Sequence, residues 1–292
     1  MADFKRKVVH FFAEPIRHIC RNVYQNEIKK DMTSCVENIL HERRYDERLM
    51  VVEENLRQNN QFIETQKNNA LNDIDYFDFE NTFRGPREAI KESQRGYVKY
   101  FKNRSHVVDL GCGRGEFLEL LKEEEIDAIG VDLNDKFLEY CAGLGLNVIK
   151  EDALDYLRSQ SCVGGIFASQ LIEHLNTDKM IEFCRLAYQK LEEDAYFILE
   201  TPNPSSLAIF THAFYIDPSH NKPVHPLTVK YILERAGFRK IEIIYTPGSR
   251  LPMAMPELEG EGITNLDAFN EGIRQLNDVL YGSQDYAVIA MK

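Results

Sequence analysis

The chain has 292 residues, 43% of them hydrophobic, and a net charge of −12 at neutral pH. This composition is sufficient for a globular core, and the negative charge disfavours non-specific binding to a nucleic-acid backbone. The six cysteines form no C-x-x-C pair, and no histidine lies at a spacing typical of zinc sites. We therefore expect reduced thiols and a cytoplasmic protein. Because no run of 18 apolar residues occurs, we expect no transmembrane helix.

The first 75 residues contain one proline, Pro15, and no glycine. Proline suits the first turn of a helix, so we predict a long helix from Pro15 to about Lys67. Apolar residues recur every seven positions within it, although polar residues interrupt the pattern. Two interpretations stay open: a broken coiled-coil seam that makes the chain a homo-oligomer, or amphipathic helices packed on the main domain. In either case residues 1–80 are a helical extension.

Basic residues are concentrated at the start of the chain, where residues 1–30 hold seven Lys and Arg against three acidic residues. We expect a solvated helix face there. The alternative is a weak attraction of this segment to the inner, anionic face of a membrane, strengthened by apolar residues such as Phe11 and Phe12.

A junction at residues 68–86 and a helix from about Arg87 to Phe101 lead into a region where apolar strands and amphipathic helices alternate. This alternation predicts an α/β domain over residues 81–292, with a mostly parallel sheet and helices on both faces. The predicted strands are 106–110, 126–131, 147–150, 163–169, 195–200, 238–245 and 285–291. The predicted helices are 115–124, 135–143, 153–159, 177–190, 226–236 and 265–281. We expect the last two of the seven strands to be antiparallel.

The most informative stretch is residues 107–117, where an apolar strand runs into a glycine-rich turn and then a helix. Such a turn brings backbone N–H groups and a helix N-terminus against a ligand. The next apolar strand ends at Asp132, about 20 residues after Gly111, which is the spacing expected for ribose recognition. The two strands therefore predict a site for a nucleoside-containing cofactor.

The residues around the turn discriminate between nucleotide cofactors. Glu116 stands where a dinucleotide-binding fingerprint has its third glycine, and an acid there would face pyrophosphate across the helix start. A P-loop motif is absent. Asp109, just before the glycines, can accept a hydrogen bond from an ammonium group or hold the turn in shape. These residues favour a cofactor that carries an amino-acid moiety.

The sequence V-D-L-G-C-G-R-G at residues 108–115 resembles motif I of class I S-adenosylmethionine-dependent methyltransferases. The resemblance covers roughly residues 81–292 and implies a seven-stranded Rossmann-like sheet with S-adenosyl-L-methionine as the cofactor. It implies that Asp132 binds both ribose hydroxyls and that Asp152 accepts from the adenine amine. Arg84 is a candidate to bind the cofactor carboxylate, since a guanidinium fork matches a carboxylate; the alternative is a surface arginine. The full set of cofactor residues implied in this way is Arg84, Asp109, Gly111, Cys112, Gly113, Asp132, Leu133, Asp152, Ala153 and Gln170.

The segment from Glu200 to Pro226 follows the fifth predicted strand and contains five prolines and three histidines. Loops of this length are usually functional or disordered, and prolines stiffen them. The segment leaves the sheet at the edge where ligands bind in open α/β folds. We predict that it forms a lid over the site of the methyl acceptor.

Methyl transfer to a hydroxyl group requires removal of the hydroxyl proton, and a histidine suits this role near neutral pH. The candidate bases are His174, His220 and His225, with His220 and His174 preferred. The structural alternatives are that His225 caps the helix beginning near Pro226, and that His174 is buried and hydrogen-bonded.

The pair Glu173-His174 resembles the metal-binding pair of some quinone-ring O-methyltransferases. Those enzymes carry further acidic residues a few positions upstream, where this chain has Ser169 and Gln170. We therefore assign no metal site from the sequence.

Three segments, residues 83–88, 200–204 and 217–226, resemble a subgroup of bacterial methyltransferases of polysaccharide biosynthesis, which are often joined to glycosyltransferases. The resemblance implies O-methylation of a sugar hydroxyl on a lipid-linked or nucleotide-linked glycan, with a glycosyltransferase as partner. The Asn/Asp-Pro-Pro-aromatic motif of amino-directed nucleic-acid methyltransferases is absent after the fourth strand, so we expect no nucleic-acid partner. Two alternatives stay open: a quinone or small-phenol O-methyltransferase, and a non-catalytic assembly protein with this fold.

Overall fold

Seven strands form one sheet: β1 (Val107–Leu110), β2 (Ala128–Asp132), β3 (Val148–Lys150), β4 (Gly165–Ser169), β5 (Tyr196–Pro202), β6 (Arg239–Tyr245) and β7 (Asp285–Met291). Their spatial order is β3-β2-β1-β4-β5-β7-β6. Strands β1 to β5 pair in parallel, and β7 lies antiparallel between β5 and β6. The predicted mostly parallel, seven-stranded sheet is confirmed, and β6 and β7 are antiparallel to each other as expected. Only β7 opposes the direction of the other strands.

The computed structural model describes residue 34, residues 75–211 and residues 213–292. The compact unit that holds the sheet runs from Asp73 to Lys292. The predicted long helix, its heptad pattern and the basic segment at the chain start lie outside the described residues, apart from the helical position Ser34. Among the described helices, none is long and apolar enough to cross a membrane.

Nine α-helices of the described region flank or follow the strands. They are α1 (Tyr76–Phe83), α2 (Arg87–Gln94), α3 (Glu116–Glu123), α4 (Asp135–Gly143), α5 (Ala153–Ser159), α6 (Thr177–Lys190), α7 (Ala213–Ile216), α8 (Pro226–Ala236) and α9 (Leu266–Tyr281). Short 3₁₀ turns cover Arg95–Phe101, Ile172–His174, Leu207–Phe210 and Pro247–Ser249.

Two boundaries differ from the sequence prediction. The predicted junction at 68–86 is wrong over Tyr76–Phe83, because Asp75 caps a helix there by accepting the N–H of Asp78 at 3.3 Å. The predicted single helix from Arg87 to Phe101 ends at Gln94 and continues as a 3₁₀ turn.

Aromatic side chains fill the apolar layer on each face of the sheet. On one face Phe117 of α3 stacks on Phe167 of β4 with ring centroids 3.8 Å apart, and on the other Phe183 of α6 meets Phe197 of β5 edge-on at 5.4 Å. All four rings are at most 1% exposed. Burying a side chain of this size contributes roughly 1.5–3 kcal/mol. Because helices cover both faces, β1 is buried at all four of its positions, including Asp109.

The chain direction through the sheet positions the site. β1 lies between β2 and β4. The next two strands of the chain, β2 and β3, lie on one side of β1, and β4 and β5 lie on the other. Loops at the carboxyl ends of β1, β2 and β4 therefore meet over one crevice, where open α/β sheets bind ligands.

Candidate active site

The turn after β1 is built from three glycines in the left-handed conformation, Gly111 (φ +73°), Gly113 (φ +49°) and Gly115 (φ +73°). At Gly115 a Cβ atom would lie 2.7 Å from Leu146 Cδ1, so glycine is required there by both conformation and space. The N–H of Gly111 donates to the carbonyl of Val131 at 2.8 Å, which ties the turn to β2. The turn thus holds the N-terminus of α3 at the crevice.

Asp132 ends β2 and faces this turn. Its Oδ2 accepts the N–H of Gly113 at 3.0 Å, and its Oδ1 accepts the N–H of Asn134 at 2.9 Å. Burial raises the pKa of Asp132, although these backbone hydrogen bonds act to lower it. Each carboxylate oxygen keeps a second lone pair, so Asp132 can still accept from two hydroxyl groups. The neighbouring Leu133 is 61% exposed.

Arg84 follows α1 and reaches over the turn. Its Nη1 donates to Glu80 Oε2 at 2.9 Å and lies 3.4 Å from where a Cβ of Gly113 would stand. Burial alone would lower the pKa of Arg84, but the carboxylates of Glu80 and Glu116 raise it overall, so the guanidinium is held charged. A charged guanidinium at this position can bind a carboxylate with two parallel hydrogen bonds.

Asp109 of β1 is buried and forms no side-chain hydrogen bond with a described residue. Burial raises the pKa of Asp109 to about 8, with Arg84 opposing the shift. Glu116 differs, because its carboxylate pairs with Arg114 at 2.7 Å. Asp109 is therefore the acid of this turn that lacks a described partner.

Asp152 and Ala153 open α5 directly after β3. Asp152 Oδ1 accepts the N–H groups of Leu154 at 2.9 Å and Asp155 at 3.2 Å, so it is the N-cap of the helix. Its second oxygen is not engaged by a described residue. A cap and an adenine contact are compatible, since they use different carboxylate oxygens.

Gln170 leaves β4 with a φ of +55°, a conformation that is uncommon for residues other than glycine. Its N–H donates to the carbonyl of Glu200 at 2.8 Å, and its Nε2 donates to Asp285 Oδ1 at 3.1 Å. Strained backbone of this kind clusters at functional sites. The segment that follows β4, which we call the β4 exit, is thus hydrogen-bonded to both β5 and β7 through Gln170.

Glu200 of β5 is a buried carboxyl at the same edge. Tyr97 Oη donates to its Oε2 at 2.6 Å, and Ser169 Oγ donates to its Oε1 at 3.0 Å. Burial raises the pKa of Glu200 to about 7, and the charge of Asp285 raises it further. This edge of the sheet is therefore lined by carboxyl and amide groups.

Two histidines and a glutamate meet beyond this strand exit. The rings of His174 and His220 cross edge-to-face with centroids 4.7 Å apart. Glu173 and these two histidines each offer one ligand-type atom within 4.8 Å of the others. We call Glu173, His174 and His220 the acceptor cluster.

Glu173 is fully buried, and only one of its oxygens is satisfied. Its Oε2 accepts from Thr201 Oγ1 at 2.9 Å, whereas its Oε1 has no hydrogen-bond partner among the described residues. Burial raises the pKa of Glu173 to about 8. At neutral pH the protonated carboxyl is consequently the favoured form.

His174 is also shielded from solvent. Burial lowers the pKa of His174 to about 4, and the charge of His220 lowers it further while Asp217 opposes the shift. His174 is therefore a neutral imidazole at physiological pH.

Residues 80–243 match the family described as "Methyltransferase domain". The chain belongs to this family.

The chain is similar to a solved SAM-dependent methyltransferase from Archaeoglobus fulgidus, with 43% identity and a TM-score of 0.71 over 75% of this chain and 100% of that chain. A 2-ketoarginine methyltransferase from Streptomyces arginensis is 25% identical over 175 residues, which are 54% of this chain and 50% of the relative. A tRNA (guanine-N(7)-)-methyltransferase from Clostridium tetani is 33% identical over 98 residues, 32% of this chain and 44% of that protein. The methyltransferase thus spans about half the length, or less, of the curated relatives that it matches.

S-adenosylmethionine is the cofactor of this methyltransferase. The crevice fits it, because the turn offers a cradle without side chains at Gly113, Asp109 is unpaired toward described residues, and Arg84 places a cation there. Asp109 suits the ammonium group, Arg84 the carboxylate and Asp132 the ribose hydroxyls. These contacts remain predictions carried over from the motif.

His225, the third candidate base, lies outside the acceptor cluster of the methyltransferase. Its Nδ1 accepts the N–H of Leu227 at 3.2 Å, so it is the N-cap of α8, and it is exposed. The structure therefore favours the capping alternative for His225. His212, another histidine of the segment, lies outside the described residues.

Several residues at the site were not predicted as functional. They are Tyr76, Tyr97, Glu200, Asp217, Ser219 and Asp285. Asp217 and Ser219 belong to the same Asp-Pro-Ser-His segment as His220, and this proximity in sequence was the signal that could have identified them. No sequence signal identifies Tyr76 or Asp285, because they reach the crevice from distant parts of the chain.

Proposed function

We propose that this methyltransferase transfers the methyl group of S-adenosylmethionine to a hydroxyl of a sugar in a cell-surface glycan or its lipid- or nucleotide-linked precursor. The observation that supports this most directly is the acceptor cluster, which brings two imidazole rings to the carboxyl edge of the sheet beside the cofactor turn. The likeness of residues 83–88, 200–204 and 217–226 to glycan methyltransferases supports the choice of a sugar.

A neutral hydroxyl is a weak nucleophile, so its proton must leave as the new bond to carbon forms. Bound S-adenosylmethionine supplies a methyl group on a positively charged sulfur. The hydroxyl oxygen attacks the methyl carbon, the carbon–sulfur bond breaks with its electron pair going to sulfur, and the proton passes to a base of the protein. The products are the methyl ether and the neutral thioether.

His220 is the better base of the two histidines. Its Nδ1 lies 2.7 Å from the carbonyl of Phe214, which can only accept, so Nδ1 carries a hydrogen and Nε2 keeps the lone pair. Its Nε2 lies 3.8 Å from Asp217 Oδ2, close enough for the carboxylate to stabilise the imidazolium. His174 has a pKa lowered to about 4 by burial, so it holds a proton poorly.

The polar character of the strand exit favours a sugar over a quinone or simple phenol. Gln170, Glu173, Glu200 and Asp285 supply amide and carboxyl groups there; Glu173 and Glu200 are buried and Asp285 is half-buried. A sugar hydroxyl can donate to Glu173 Oε1, which has no hydrogen-bond partner among the described residues, whereas an apolar ring would leave it unpaired at a cost of about 1–3 kcal/mol. From the sequence we further propose a glycosyltransferase partner and homo-oligomerisation through the N-terminal helices.

The direct experiment incubates the purified protein with S-adenosylmethionine and panels of nucleotide sugars, lipid-linked sugars, short glycans, phenols and quinols. We expect S-adenosylhomocysteine release and a methyl ether, located by mass spectrometry and NMR, with members of the sugar panels only. The variant His220→Ala should bind S-adenosylhomocysteine normally but lose turnover. Methylation of phenols or quinols alone would overturn the proposal in favour of the small-phenol alternative. Failure to bind S-adenosylhomocysteine would indicate a non-catalytic scaffold.

A further inference from the structure

We propose that Asp217 is a positioning residue of this active site, which sets the tautomer of His174 through Ser219 and holds His220 as the proton acceptor. This inference rests on the proposed function for its catalytic meaning. Its structural part concerns only the protonation sites of two imidazoles and can be tested without any acceptor.

The carboxylate of Asp217 is the centre of a partly buried hydrogen-bond network. Its Oδ1 accepts the N–H of Ser219 at 2.7 Å and the Oγ–H of Ser219 at 2.6 Å. Its Oδ2 accepts from Tyr76 Oη at 2.5 Å. The residue is 8% exposed. All three contacts bring donors to the carboxylate, which matches its ionised, acceptor-only form.

Ser219 transmits this constraint to His174. A hydroxyl has a single hydrogen, and the one of Ser219 is committed to Asp217 because a carboxylate cannot donate. Ser219 Oγ lies 2.9 Å from His174 Nδ1, so the serine oxygen must accept from that nitrogen. His174 is therefore protonated at Nδ1, and its lone pair is at Nε2.

His220 is constrained from two sides. The carbonyl of Phe214 fixes the hydrogen at Nδ1, and the ring of Phe214 packs on the imidazole at a centroid distance of 4.7 Å. The gap of 3.8 Å between Nε2 and Asp217 Oδ2 is too long for a hydrogen bond but is within ion-pair distance once Nε2 is protonated. Asp217 thus favours the charged form that proton transfer to Nε2 creates.

Tyr76, which donates a hydrogen bond to Asp217, lies outside the part of the chain that matches the family. It lies on α1, ahead of the matched residues 80–243. α1 is fastened to α4, since Asp75 pairs with Lys136 at 2.5 Å and Phe77 packs on Phe137 at 5.4 Å. Tyr76 therefore occupies one lone pair of Asp217 and restrains the carboxylate beside His220.

The charged and titratable groups that face the two imidazoles come from three elements. Glu173 belongs to the β4 exit, Tyr76 and Glu80 to α1, and Asp217 to the same segment as His220. Hydrogen bonds keep Asp217 ionised. Burial acts to raise its pKa, but the hydrogen bonds from Ser219 and Tyr76 leave that pKa below the ordinary value.

The first test is nitrogen-15 NMR of histidine-labelled full-length protein at neutral pH, without cofactor or acceptor. We expect Nδ1–H tautomers for both His174 and His220. Ser219→Ala should release His174 from the Nδ1–H form, whereas Ser93→Ala, an exposed serine bonded only to its own helix turn, should change neither ring. An Nε2–H tautomer of His174 in the wild type, or an unchanged His174 in Ser219→Ala, would overturn the inference.

The second test is the pH profile of turnover for Asp217→Asn, which keeps the side-chain shape but removes the charge. We expect kcat to fall about 100-fold and the acidic limb of the profile to move to lower pH, because the imidazolium of His220 loses its counter-ion. Binding of S-adenosylhomocysteine should be retained. The control is Asp194→Asn, which is exposed, lies before β5 at the opposite edge of the sheet and has a φ of +57° that asparagine adopts readily.

The outcomes separate the two proposals. If the wild type methylates no sugar, the proposed function fails, while the NMR test still decides whether Ser219 sets the tautomer of His174. If sugars are methylated but Asp217→Asn leaves the acidic limb in place, the inference is wrong. A loss of turnover that is accompanied by an unmoved acidic limb assigns Asp217 a purely structural role and also overturns it.

Discussion

The backbone N–H of Gly113 donates a 3.0 Å hydrogen bond to Oδ2 of Asp132. This bond joins the glycine turn after β1 directly to the acid that ends β2, in addition to the bond from the N–H of Gly111 to the carbonyl of Val131. Asp132 consequently has a structural role in the apo protein and a predicted binding role toward the ribose. The two roles can be separated by substitution.

Asp132→Ala should weaken binding of S-adenosylhomocysteine by roughly 10-fold or more, since hydrogen bonds to a charged group contribute about 1.5–3 kcal/mol. Asp132→Asn keeps an acceptor for Gly113 but offers the ribose a donor in place of one acceptor, so its affinity should lie between those of the other two proteins. Isothermal titration calorimetry measures both. Unchanged affinity in Asp132→Ala would remove Asp132 from the cofactor site.

Gly115→Ala should destabilise the domain by about 2–5 kcal/mol, the sum of left-handed strain and overpacking. Gly115 has a φ of +73°, and a Cβ there would lie 2.7 Å from Leu146 Cδ1. Gly272→Ala is the matched control, because Gly272 lies within α9 with no atom within 4 Å of its Cβ position. The control should be neutral or stabilising by up to about 1 kcal/mol. Urea unfolding gives both values, and similar midpoints for the two variants would contradict the packing around Gly115.

Glu173→Gln should change the pH dependence of stability. Burial raises the folded-state pKa of Glu173 to about 8 from an ordinary 4.5, so the folded protein binds this proton more tightly than the unfolded chain does. The resulting stabilisation is complete below the unfolded pKa and is lost as the pH rises through the folded pKa, at about 1.4 kcal/mol for each pKa unit.

The wild type should therefore lose stability between pH 5 and about pH 8, and Glu173→Gln should lose less over the same interval. Urea midpoints at several pH values measure this difference. Glu192→Gln, an exposed glutamate, serves as control and should follow the wild type. Parallel curves for Glu173→Gln and the wild type would show that Glu173 titrates normally.

His220→Ala and His225→Ala should differ sharply in turnover. His220→Ala removes the proposed base and should lower kcat by about 100-fold or more. His225→Ala removes a helix cap at an exposed position, so it should cost about 1 kcal/mol of stability and leave kcat nearly unchanged. Steady-state kinetics at saturating cofactor, combined with thermal unfolding, tests the pair. Equal losses of kcat in the two variants would make His225 a candidate base again.

The alternation of apolar runs and turn residues was sufficient to predict all seven strands. The signal is strongest in β1, β4, β5 and β7, which are buried along nearly their whole length, whereas β3 and β6 at the sheet edges are largely exposed. The prediction was weakest where burial does not dictate the pattern. Tyr76–Phe83 was assigned to a junction because its aromatic and acidic residues have no clear period, yet Asp75 caps a helix there.

The cofactor turn was evident in the sequence because its determinants are local: three glycines within five residues must adopt left-handed backbone, and the acid at the end of the next strand follows at a spacing set by one βαβ unit. The acceptor site could not be read in this way. His174 and His220 meet only because the β4 exit and the proline-rich segment fold onto the same edge of the sheet, and Tyr76 reaches Asp217 across 141 positions of sequence. Burial and hydrogen-bond direction, which decide where each imidazole carries its proton, exist only once those distant segments are packed together.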